Sequence, residues 1–117
     1  MSSAYGSHAV VGVEFHRTEK GRFPVQEFIG SLPTDTRSIV YRNLGLLVGQ
    51  RIGVDSPRIK HIRGKLLEYR IPTDRCSYRV FFYIDSNRVA VLLHAVPKKR
   101  SRLPQRVIDL AEARIPR

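Results

Sequence analysis

Three closely spaced segments of the chain carry residue types suited to binding and turning over a polyanion. Glu68 and Arg70 alternate with Leu67, Tyr69 and Ile71; Arg79, Phe81 and Tyr83 alternate with Tyr78, Val80, Phe82 and Ile84; His94 closes a third apolar segment. Side chains leave a strand on alternating faces. If the apolar sets, with Val89, Val91 and Leu93, turn toward a core, then Glu68, Arg70, Arg79, Phe81, Tyr83 and His94 share the opposite face. A guanidinium holds a phosphate through paired hydrogen bonds and stays charged. Aromatic rings stack on unpaired bases. A carboxylate and an imidazole can move protons. The basic run Lys98-Lys99-Arg100-Ser101-Arg102 starts where the third segment ends and would rim the same surface.

The charge distribution points the same way. The 117 residues carry a formal net charge of +11. Residues 1–57 hold six basic and five acidic residues, whereas residues 58–117 hold fifteen and five, so nearly all the excess lies in the second half. Such asymmetry implies a polyanionic partner, with nucleic acid first. Lys60, His61, Arg63 and Lys65 form a further basic stretch expected to grip RNA. One cysteine and four scattered histidines offer neither a disulfide framework nor metal-ligand spacing, so neither a metal nor another cofactor is expected. The first eight residues lack a basic start and an apolar block, and no apolar run approaches the ~18–20 residues of a membrane span. A reduced, cytoplasmic setting is the expectation.

The positioning elements follow from periodicity and turn chemistry. Residues 1–117 are expected to form one domain with a flexible start at 1–9. Val10–His16 reads as a strand. Pro24 suits the first position of a helix, and Val25, Phe28, Ile29 and Leu32 give that helix one apolar face. A second helix capped by Thr34 or Asp35 would bury Ile39, Val40, Leu44, Leu47 and Val48, with Gly45 and Gly49 allowing close helix packing. Residues 51–65 read as a loop. Leu66–Pro72, Cys76–Ile84 and Arg88–Val96 form an antiparallel meander across short polar turns, and Pro97 stops the pairing. A last helix spans about Leu103–Arg114, with Val107, Leu110, Ala111 and Arg114 on one side. The fold expected is α+β: an N-terminal strand and helical hairpin packed on an antiparallel sheet of three to four strands, plus a C-terminal helix.

This order of elements, with Phe23-Pro24-Val25-Gln26-Glu27-Phe28-Ile29, Leu67-Glu68-Tyr69-Arg70, Tyr78-Arg79-Val80-Phe81-Phe82-Tyr83 and Leu92-Leu93-His94-Ala95-Val96-Pro97-Lys98-Lys99, resembles the RelE/ParE toxin superfamily and, within it, the phage-derived HigB-like branch. Leu103-Pro104 and Leu110-Ala111-Glu112-Ala113-Arg114 resemble that branch's ending, although Leu103 replaces its usual capping threonine. The resemblance spans about residues 10–115. It implies a RelE-like, microbial-RNase-like fold and the toxin of a type II toxin–antitoxin pair. The partners it implies are a helix-turn-helix antitoxin, the ribosome and mRNA. RelE-like members cleave mRNA on the ribosome, whereas ParE-like members poison DNA gyrase. A non-catalytic nucleic-acid-binding relative is the third possibility.

For the RNA-cleaving activity, a 2′-hydroxyl attacks the adjacent phosphorus in line, leaving a 2′,3′-cyclic phosphate and a 5′-hydroxyl without a metal. Arg79 and Arg70 would hold the phosphate and stabilise the dianionic transition state. Glu68 or His94 would take the proton, and Lys98 or Lys99 would assist the leaving group. Lys99, Arg100, Arg102, Lys60, His61, Lys65, Phe81 and Tyr83 would contact RNA.

Overall fold

The computed structural model describes residues 9–52, 56–99 and 102–117. Its order is β1 (Gly12–Phe15), α1 (Pro24–Gly30), α2 (Thr34–Gly45), β2 (Ile59–Arg63), β3 (Leu66–Pro72), β4 (Ser77–Ile84), β5 (Val89–Pro97) and α3 (Gln105–Ala113). The α+β expectation holds, and the sheet is wider than expected. Five strands run in the order β1-β5-β4-β3-β2. β1 pairs parallel to β5 and the other neighbours are antiparallel.

The extra strand is β2, which lies within residues 51–65, read from sequence as loop. Its side chains are polar or charged except Ile59 and Ile62, so strand alternation is faint. Its pairing with β3 instead depends on a tight turn at Gly64-Lys65, where Gly64 adopts φ +55°. Of the N-terminal segment expected to be flexible, residues 1–8 lie outside the described part. Ala9 forms a bridge with Arg51, and the Val10 N–H donates to the Gln50 carbonyl at 2.9 Å.

Two cores flank the sheet. The first gathers Val25, Ile29, Val40, Leu44 and Leu47 of the hairpin segment against Leu67, Ile71, Val80, Phe82 and Leu92. The second gathers Leu66, Phe81 and Leu93 under Val107 and Ala111 of α3. Adjacent Phe81 and Phe82 are thus both fully buried, on opposite faces. A strand covered on both sides reads as a continuous apolar run, and Val80-Phe81-Phe82 is that run.

Strand parity therefore misassigns β5. Ala90 and Leu92 face the hairpin, while Val91 and Leu93 lie on the α3 side. Both alternating sets are apolar, so the pattern held no preference. A bulge complicates the register: Phe81 opposes His94 and Phe82 opposes Leu92, leaving Leu93 as the additional residue. Ladder pairing also runs past the expected stop, since Pro97 opposes Tyr78 and the Lys98 N–H donates to the Ser77 carbonyl at 2.8 Å.

The helices depart from expectation at their ends. Pro33, rather than Thr34 or Asp35, holds the N-cap position of α2 and supplies no side-chain cap. Val48, expected to be buried, is exposed because α2 ends at Gly45, and Leu110, expected on one side with Val107 and Ala111, is exposed because α3 settles on those two residues. Asn43 ties α2 to the sheet: its carbonyl accepts from the Tyr69 hydroxyl at 3.0 Å and its Oδ1 from Arg58 at 3.1 Å.

Neither Gly45 nor Gly49 serves close helix packing, since a Cβ at either would meet nothing within 4 Å. Gly49 instead supplies a left-handed turn at φ +93°. Gly45→Ala should therefore raise stability by up to about 1 kcal/mol through helix propensity and unfolded-state entropy. Gly49→Ala should lower it by about 1–2 kcal/mol. Urea unfolding of both variants measures the contrast.

Candidate nucleic-acid interface

Arg70 and Arg79 are directly opposed across β3 and β4, so they leave the sheet on the same side. They differ in access to solvent. Arg70 is exposed, whereas Arg79 is only 6% exposed. The chain buries Arg79 because α3 covers this face, and a guanidinium removed from water needs a partner. Glu68 provides one: Arg79 Nη1 donates to Glu68 Oε2 at 3.0 Å, and both side chains are largely buried. The expectation of an open face displaying both residues is corrected accordingly. Glu68 is engaged with Arg79.

Arg79 nevertheless lines a cleft of about 340 Å³. The cleft forms where the chain leaves β5 at Pro97 and turns into α3 at Pro104. Lys99, Arg102 and Arg106 supply its cationic lining, and Val96, Leu103 and Val107 supply apolar surface. Lys99 and Arg102, on the segment between β5 and α3, reach the cleft because that segment joins the end of β5 to the start of the covering helix. The positive end of the α3 dipole lies there too. Guanidinium and ammonium groups around a dipole end can hold phosphate oxygens. No imidazole or carboxylate belongs to the described lining of this cleft.

The remaining candidate residues are dispersed. Lys98 is half-buried and outside the cleft lining; Arg100 lies outside the described residues. Lys60, His61 and Lys65 are exposed on the β2–β3 hairpin at the far edge of the sheet, where His61 Nε2 lies 2.7 Å from the Gly64 carbonyl oxygen. Lys65 lines a different groove, with Asp109 and Glu112. Phe81 is sealed in the second core and offers no surface to a base, a correction that follows from the cover of α3. Tyr83 packs half-buried against that core; burial, with Asp85 and Glu14 nearby, pushes its hydroxyl pKa up.

His94 lies away from the cleft. Its ring stacks on Phe81 at 6.4 Å and 21°, and Arg114 Nη1 approaches its Nδ1 at 3.4 Å while donating to the Leu93 carbonyl at 2.8 Å. Burial first, and then the Arg114 charge, lower the His94 pKa; the same two causes lower that of His16.

Sequence reading gave no site role to Arg106, Arg114 or His16, and it expected Arg63 to grip RNA, whereas the structure pairs Arg63 with carboxylates. Arg106 had a legible signal, standing two residues beyond a helix-starting proline. Arg63 ion-pairs with Asp109 at 2.9 Å and with Glu112, joining β2 to α3. That pairing between distant parts of the sequence carried no local signal.

The Glu68–Arg79 pair makes a sharp energetic prediction. Arg79→Ala should cost about 3–5 kcal/mol by stranding a buried carboxylate, whereas the double change Glu68→Gln/Arg79→Met should recover most of that loss. A denaturant double-mutant cycle tests this. The depressed imidazoles predict a pH effect. The neutral forms are favoured in the fold, so their contribution is full above the ordinary histidine value of about 6.5 and is lost as pH falls through the lowered values. Unfolding midpoints should drop between about pH 7.5 and 5.5, and His94→Gln should flatten that dependence.

Comparison with known families places these observations. A family model described as phage-derived protein Gp49-like (DUF891) matches residues 27–116. The match begins within α1 and takes in the whole cleft and α3. No curated protein matches the chain. The chain belongs to the phage-derived Gp49-like family, a toxin-like family related to RelE and ParE.

Proposed function

We propose that this protein is the toxin of a type II toxin–antitoxin pair, of the HigB-like branch, and that it cleaves mRNA on the ribosome through metal-independent 2′-hydroxyl attack. The observation that carries the reading is the cleft at the start of α3, where Arg79, Lys99, Arg102 and Arg106 converge. One anchored cation with three exposed ones around a partly apolar cleft suits a transition state that gathers negative charge on phosphate oxygens. A pure protein-binding surface has no need of that concentration.

Each residue has a role in this reading. Arg79 is the anchored phosphate ligand. Its guanidinium is held by Glu68 and so loses little freedom on binding. Lys99, Arg102 and Arg106 supply further charge, and in this reading Lys99 assists the leaving 5′-oxygen. Glu68 then acts chiefly by positioning Arg79 and is the candidate for proton removal, since His94 lies away from the cleft. Arg70, exposed beside Arg79, guides the strand toward the cleft. The partners in this reading are a helix-turn-helix antitoxin, the ribosome and mRNA, and the setting is cytoplasmic. No described helix is long and apolar enough to cross a membrane.

One observation favours a second reading. The described cleft lining offers phosphate ligands but no imidazole or carboxylate. A nucleic-acid-binding relative without cleavage, or a ParE-like gyrase poison, requires no such group.

Controlled expression in bacterial cells separates these. The cleavage reading expects prompt translation arrest and new mRNA 5′ ends within translated codons. Filamentation with DNA-damage induction, and intact mRNA, would replace it with gyrase poisoning. Lys99→Gln/Arg102→Gln/Arg106→Gln leaves the buried pair untouched and should fold normally while lowering cleavage at least about a hundredfold. Its ribosome affinity should also show a shallower salt dependence. Unchanged cleavage by this folded variant would remove the cleft from the mechanism.

A further inference from the structure

A second group of cations sits at the other end of α3. Arg114 is the C-cap residue of that helix, half-buried against β5. Its Nη1 makes both contacts already described, to the Leu93 carbonyl and to His94 Nδ1. Guanidinium carries five N–H donors. The Nε and Nη2 donors, the edge that forks onto a phosphate, have no hydrogen-bond partner among the described residues. Nor does a described carboxylate form an ion pair with Arg114, in contrast to Arg63, which has two.

Two imidazoles join it from separate strands. The His16 backbone N–H donates to the Leu92 carbonyl at 2.9 Å, which extends the β1–β5 pairing and sets His16 alongside the bulge that presents His94. Val13 and Phe15 pack on the hairpin-side core, so Glu14 and His16, by strand alternation, leave β1 on the α3 side. The Arg114 charge reaches both rings, lowering each pKa after burial has done so. The acceptor role of His94 Nδ1 leaves its Nε2–H free to donate. The dipole at the helix C-terminus offsets part of the Arg114 charge. It does not occupy the remaining guanidinium edge.

We propose that Arg114, His16 and His94 form a second phosphate subsite, which takes a backbone phosphate of the RNA strand whose scissile phosphate lies in the cleft. The proposal rests on the RNA-binding reading above and adds a second contact to it. Nine residues of α3 separate the two positions, roughly 13 Å along the helix axis, so each end holds a different phosphate of one strand. Arg114 would fork onto the oxygens while His94 Nε2–H and a protonated or neutral His16 donate from the sides.

Histidine ring resonances of the full chain test this, with inorganic phosphate and then a 2′-O-methyl oligoribonucleotide, which cannot be cleaved, as probes. Both probes should move the His16 and His94 signals and raise their titration midpoints. Arg114→Gln should abolish the phosphate effect, weaken oligonucleotide binding about tenfold and reduce its salt slope by about one. If Arg114→Gln fails to fold, His16→Gln supplies the same comparison from an edge strand. Ring signals unmoved by either probe overturn the subsite. If the oligonucleotide perturbs the Arg102 and Arg106 amides but neither histidine, the subsite falls while the cleft reading stands. If phosphate moves the histidines but no oligonucleotide binds, a small-anion site replaces the RNA contact and the subsite falls, while the cleft reading is decided by the mRNA ends found on expression.

Discussion

A charge taken out of water must find a partner, and in this chain that requirement meets a strand buried on both faces. α3 packs over the sheet surface opposite the helical hairpin and closes a second core around Phe81 and Leu93. Once that face is covered, Arg79 cannot remain a solvated cation, and Glu68 becomes its counter-ion at 3.0 Å. A buried pair of this kind is weak evidence for net stability, because desolvation offsets much of the attraction. Its value here is geometric. It fixes one guanidinium at the wall of a cleft whose other cations ride on a connecting segment and on the first turn of α3.

The same helix partitions the excess positive charge. At its start, Lys99, Arg102 and Arg106 gather around Arg79. At its end, Arg114 turns back to β5, onto the Leu93 carbonyl and the His94 ring. On its flank, Asp109 and Glu112 engage Arg63 and fasten the helix to the β2–β3 hairpin. The +11 charge is therefore not a uniform coat. Some of it serves structure, as in Arg58 with Asn43 and Arg63 with its two carboxylates, and one group of four, Arg79, Lys99, Arg102 and Arg106, lines the cleft.

Much of the architecture was legible because it rests on local chemistry. Pro24 at the start of α1, the Asp85 turn between β4 and β5, and the apolar alternation of β3 each act within a few residues. Asp85 Oδ1 accepts from the Asn87 and Val89 N–H groups, so that turn is set by one side chain. β2 escaped notice for the opposite reason. Its pairing depends on β3 and on a glycine turn, while Lys60, His61 and Arg63 interrupt any apolar period.

The amino-acid sequence by itself determined which types of chemistry the protein carries and the order of its elements: second-half cationic excess, arginines on neighbouring strands, a basic run between the last strand and the last helix. It also determined that Arg70 and Arg79 share a face, since turn length and alternation set their register. Only the tertiary structure decided which of those groups reach solvent. The second face of the sheet is covered by a helix far away in the chain, and burial depends on what packs against a residue, which periodicity within one strand cannot report. That cover sealed Phe81, paired Glu68 with Arg79, left Arg70 exposed, and brought Arg106 and Arg114 to positions that spacing alone does not reveal.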